Sequence, residues 1–135
     1  MADAVTSQTL LDGERLAIMK FTNISDGGGE SAVLKVDVSA LNPSASGKAC
    51  NGVVINKIFA STAGMGVNIL WDADTDVTAF VVGADGSYTW DFSKNSGLKN
   101  NAGEGKTGDI KFSTISPTSG DTYSIELEMV KTYAS

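Results

Sequence analysis

The stretch Gly66–Ser93, GVNILWDADTDVTAFVVGADGSYTWDFS, decides how the chain is read. Val67, Ile69 and Trp71 alternate with Asn68, Leu70 and Asp72, the period-two pattern of a strand with one buried face. Asp72-Ala-Asp-Thr-Asp76 interrupts the apolar run, and Val77–Val82 resumes it with β-branched residues. Ala84-Asp-Gly-Ser87 is a hairpin signal, because Asp-Gly tolerates the positive φ angles of a tight reversal. Beyond it Tyr88, Trp90 and Phe92 share one face, with Thr89, Asp91 and Ser93 on the other. The stretch predicts a three-strand meander with both tryptophans of the chain, and with its aromatic face at the centre of the core.

The flanking segments repeat the pattern. Arg15–Asn23 places Leu16, Ile18 and Lys20 on one face and Ala17, Met19 and Phe21 on the other, which suits an inner strand of a sandwich or barrel, with a helix as the competing reading. The Asn-Ile-Ser-Asp-Gly-Gly-Gly after it is punctuation, read as a flexible hairpin tip. Glu30–Val38, Val53–Ser61 and Asp109–Thr114 are further strands, and Tyr123–Lys131 has the cleanest alternation, with Tyr123, Ile125, Leu127 and Met129 facing in. Two long loops, Ser39–Gly52 and Lys94–Gly108, separate these runs. Residues 1–5 are expected to be a loose arm, and Val5–Leu11 a short strand or part of an arm spanning residues 1–11. The sum is one all-β domain over residues 1–135, an antiparallel β-sandwich or jelly-roll-like barrel of about eight or nine short strands.

Composition narrows the function. At 135 residues there is room for one core, and size scaling buries roughly two-thirds of the unfolded surface. The net charge of −6 and the lack of any Lys/Arg cluster speak against binding to nucleic acid or anionic membranes. There is no histidine, which removes the commonest general base and most zinc sites. Cys50 is the only cysteine, so no intrachain disulfide is expected, and with no histidine to activate it the thiol reads as inert. The first residues lack the basic and apolar regions of a signal peptide, and no apolar run approaches a membrane span.

Four patterns touch on chemistry. Asp72-Ala-Asp-Thr-Asp76 begins like a calcium loop, but Val77 stands where glycine is needed and Gly83 where glutamate is needed, so a polar turn is the better reading. Gly105-Lys-Thr107 ends like a phosphate-binding loop, but Asn100 replaces the first glycine and a β pattern follows. Asp72, Asp74, Asp76, Asp91 and Glu104 are carboxylates of the kind that hydrolyse glycosides, yet no recognisable motif places them. Trp71, Trp90 and Tyr88 are of a type that stacks on sugars, and equally of a type that fills cores.

Lys20–Asp37 (KFTNISDGGGESAVLKVD), Ile69-Leu-Trp-Asp72 with Asp76-Val77, Gly97-Leu98, Gly105–Ile110 (GKTGDI) and Gly120–Leu127 (GDTYSIEL) together resemble a family of small tailed-bacteriophage virion proteins, including ones from cyanophages. The shared segments are turn and strand signatures and carry no catalytic residues. The resemblance implies a capsid decoration, or cement, protein located in the virion and assembled in the host cytoplasm. Its partners would be the major capsid protein, other virion proteins and further copies of itself. No enzyme activity and no cofactor are implied. A tail or head–tail connector component is the alternative within the virion, and a host-surface carbohydrate-binding module is the alternative from another class. The candidate contact residues are Val5, Leu10 and Leu11 in the N-terminal segment, with Lys99 and Lys106 in the Gly-rich loop.

Overall fold

The structure, a computed structural model, describes residues 4–95 and 97–133. Nine strands form two antiparallel sheets. In chain order they are β1 (Ala4–Asp12), β2 (Leu16–Asp26), β3 (Val33–Val36), β4 (Cys50–Ala63), β5 (Gly66–Trp71), β6 (Val77–Val82), β7 (Gly86–Asp91), β8 (Ile110–Ile115) and β9 (Ser119–Tyr133). The larger sheet runs β1-β2-β9-β4-β7 and the smaller β3-β8-β5-β6. Without β1, the two four-stranded sheets β2-β9-β4-β7 and β3-β8-β5-β6 have the strand order of a jelly roll. β1 is an additional strand outside that frame. It begins at Ala4, so Ala4 and Val5 are paired with β2 and not part of the loose arm expected over residues 1–5, while residues 1–3 lie outside the described residues.

The core fills the space between the sheets. Phe21, Ile55, Ile58, Ile125, Leu127 and Met129 of the larger sheet meet Val36, Ile69, Trp71, Val82, Ile110 and Phe112 of the smaller one. Phe21 and Phe112 pack edge to face across the sheets, with ring centroids 5.2 Å apart. Every inward residue expected on β9 is buried. That alternation was legible because β9 solvates one face and buries the other.

Three sequence expectations are corrected. Gly66–Ser93 is not one meander: β6 pairs with β5, whereas β7 crosses to the larger sheet and pairs with β4. The crossing is made at Gly83–Asp85, where Asp85 takes a φ of 58°. Its carboxylate accepts a hydrogen bond from the Gly64 N–H, and the Thr62 hydroxyl donates to the Gly83 carbonyl. The aromatic face of β7 therefore closes over β6 from the opposite sheet, with Trp90 4.5 Å from Phe80 between ring centroids. Tyr88, Trp90 and Phe92 are half-buried at this side of the sandwich, whereas Trp71 is at its centre. The glycine run after β2 is likewise not a hairpin tip, because β2 and β3 lie in different sheets. Finally, the expected strand Glu30–Val38 shortens to Val33–Val36 and turns into a 3-10 segment, Val38–Ala40, capped by the Asp37 carboxylate.

Candidate functional site

β1 is the least protected element of the fold. Eight of its nine residues are exposed, which means that both of its faces see solvent. The register explains this. Val5, Ser7 and Thr9 pair with Asn23, Phe21 and Met19, so they continue the inner face of β2, but the facing sheet has only four strands and ends short of them. Val5, Leu10 and Leu11 remain 41%, 45% and 44% exposed. The edge of β1 away from β2 has no neighbouring strand among the described residues. From Ala4 to Leu11 it carries no charge and no proline, two of the devices by which sheet edges are ordinarily kept from pairing with other chains, and its one irregularity is a register shift between Thr9 and Leu11.

The root of β1 is fixed by a buried cation. The Lys131 ammonium is fully enclosed and bonds the Asp12 carboxylate at 2.5 Å. It also donates to the carbonyls of Gly13 at 2.9 Å and Asn42 at 2.8 Å. Burial works against its charge, but the Asp12 carboxylate outweighs that and holds Lys131 above its ordinary value. The Asn42 N–H donates to the other Asp12 oxygen, the Ala45 N–H donates to Glu14, and the Tyr133 hydroxyl donates to the Glu14 carbonyl. The β1–β2 turn, the loop after β3 and the end of β9 thus form one rigid junction.

The remaining predicted contact residues lie elsewhere. Lys99 and Lys106 are exposed on the loop after β7, which folds along β4, with β2 and β9 between it and β1. Leu98 exchanges two backbone hydrogen bonds with Ile55, so the loop is pinned. Lys106 lines a cavity of about 510 Å³ of mixed polar and apolar character, together with Asn51, Val53, Val54, Thr107 and Thr132. At Gly108, with φ +88°, a side chain would strike the Asn51 carbonyl, so only glycine lets the loop lie this close.

The acidic turn is satisfied from within. Lys111 bridges Asp72 at 2.6 Å and Asp76 at 3.3 Å, and the Thr107 hydroxyl donates to Asp72 at 2.7 Å. The hydrogen bond from Lys111 holds the Asp72 carboxyl below its usual range. Among the described residues no group of three or more His, Cys, Asp or Glu side chains is arranged to hold a metal ion. The Asp74 N–H bonds the Glu104 carbonyl, which brings Glu104 to this turn, whereas Asp91 ends β7 in the other sheet. Trp71 is wholly buried and offers no stacking surface. Cys50 is buried and its thiol donates to the Gly52 carbonyl at 3.3 Å.

The sequence reading missed a feature on the outer face of the larger sheet. Register aligns Thr6, Thr22, Ser124, Ser61 and Ser87 in one row across all five strands. The next row holds Gln8, Lys20, Glu126, Phe59 and Thr89. On the other side stand Ile24, Thr122 and Ala63. The small hydroxyl row between bulkier rows makes a groove of about 400 Å³ over Ser124, Ser61 and Ser87, walled by Phe59, Lys20 and Glu126. Phe59 is 40% exposed there. In VVINKIFAS it is one apolar residue among several, and only the pairing with β7 and β9 shows that it faces out.

No protein-family model and no curated protein matches the sequence. Among solved structures the chain is similar to a cupin domain from Bordetella pertussis Tohama I, at 15% identity over 96% of each chain and a TM-score of 0.34.

Proposed function

We propose that the chain is a structural protein of the tailed-phage virion, a capsid decoration protein that strengthens the head shell by bridging its subunits. The observation that carries this reading is β1: a strand about 30 Å long, exposed on both faces, uncharged over residues 4–11 and held at its root by Lys131. A bare edge of this kind accepts an extended segment of another chain through backbone hydrogen bonds, with Val5, Leu10 and Leu11 adding apolar contact. A shell filled with self-repelling DNA is under outward load. Specific interfaces bury about 1,600 Å² in total, and repetition over a lattice multiplies their effect. The jelly-roll frame is neutral in this argument, since it also serves lectins and cupins.

The test places charges on the bare edge without disturbing the domain. The double variant Thr6→Lys, Leu10→Lys should fold as the parent does, with stability within about 0.5 kcal/mol, yet fail to decorate undecorated phage heads in a sedimentation assay. Full occupancy by the variant would show that β1 is not the contact. Native particles carrying six or twelve copies, rather than hundreds, would move the protein to the tail or the connector.

A further inference from the structure

We propose that the outer face of the larger sheet is a binding site for a neutral saccharide, seated in the groove between the serine row and Phe59. The inference does not rest on the capsid reading, and its groove lies over β4, β7 and β9, although the row of hydroxyls runs on to Thr6 of β1.

The lining selects the ligand class. The floor is three hydroxyls, Ser124, Ser61 and Ser87, each both a donor and an acceptor. Ser87 donates to Ser61 at 3.3 Å, a long bond that leaves capacity on both oxygens. One wall is the exposed ring of Phe59, an apolar platform on which the C–H face of a sugar ring can rest. Beside it Lys20 is the cross-strand neighbour of Glu126, and no ion pair joins them among the described residues. An ammonium, a carboxylate and hydroxyls around one apolar ring match a polyol, whose neighbouring hydroxyls donate and accept in turn. The hydroxyl row continues through Thr22 and Thr6. At the spacing of adjacent strands it extends about 19 Å, long enough for several linked sugar rings crossing the sheet.

Other occupants fit less well. A phosphate-bearing ligand would meet a carboxylate beside the single ammonium of the groove, on a chain of net charge −6. An extended peptide would find no backbone partners, because β9 and β4 are paired on both sides within the sheet.

The experiment is a screen of the full chain on an array of neutral oligosaccharides, with hits measured by calorimetry. Binding of at least one neutral glycan is expected, with amide shifts in its NMR titration concentrated at residues 59–61, 87–89 and 124–126. Phe59→Ala should weaken that binding about tenfold, Phe59→Tyr should retain it, and Ser61→Val should weaken it while leaving the melting temperature unchanged. The proposal is overturned if no neutral glycan binds at about 1 mM, if Phe59→Ala binds as the parent does, or if the shifts fall outside the groove. A preference for phosphorylated or acidic glycans would overturn the neutral assignment. Phe59→Ala should still decorate phage heads, so failure here and failure of the capsid reading are told apart.

Discussion

β1 and β7 are the two edges of one sheet, and they are built in opposite ways. β7 has six residues and alternates between half-buried and exposed, because β6 of the facing sheet sets Phe80 against Trp90 and Phe92. β1 has nine residues, and among the described residues nothing on the facing sheet extends over them. Both edges pair with a single neighbour. The difference is that the β6–β7 corner closes one side of the sandwich, whereas the opposite side carries a strand beyond the jelly-roll frame. Edge status alone therefore does not make a strand available to a partner. Length, absence of charge and absence of cover do, and β1 combines all of them.

The strongest way to break this contrast is to remove what holds β1 in place. Lys131→Met should cost about 3 kcal/mol in chemical denaturation, because it leaves the Asp12 carboxylate and two carbonyls without their buried donor. Amide exchange should quicken over residues 5–11 more than over β9. The parent should also lose stability as alkaline pH climbs past 10.5 through the raised folded value of Lys131, and the variant should lack that loss. A smaller effect is expected at the covered edge. Trp90→Ala removes a half-buried ring stacked on Tyr88, 5.0 Å between centroids, and set against Phe80. It should cost about 2 kcal/mol by thermal melting and leave decoration of phage heads intact. The smallest effect concerns neither edge. The Lys111 hydrogen bond lowers Asp72, so the stability it contributes is present above the ordinary 3.8 and is lost as pH falls through the lower folded value. Asp72→Asn should flatten that acid limb while changing neutral stability by less than about 1 kcal/mol.

Strand positions were legible in the sequence wherever one face is buried and the other wet, as in β9. Strand partners were not. The Asp-Gly signal at 85–86 marks a break between two strands but not the expected hairpin, because the local pattern does not say whether the chain returns beside the strand it left or crosses to the facing sheet. The decisive contacts there are the Gly64 N–H on Asp85 and the Thr62 hydroxyl on Gly83, both far away in sequence. The candidate residues divide in the same way. The exposure of Val5, Leu10 and Leu11 follows from β1 having one neighbour and no cover, a property of the sheet order. Phe59 was hidden because a strand with apolar residues on both faces does not reveal which face looks outward until its register is known.

The position of β9 also bears on how the molecule is made. This strand comes last among the described strands, yet it lies between β2 and β4 at the centre of the larger sheet. A nascent chain emerging from the ribosome thus presents β2 and β4 long before the strand that joins them exists. β4 can pair with β7 earlier, but β2 and β4 are joined only once residues 119–133 are available, so closure of the larger sheet is a late event with a high entropic threshold. During that interval two apolar strands wait with open edges. Chains at high local concentration, such as neighbours on one polysome, face their greatest risk of pairing with each other at that stage.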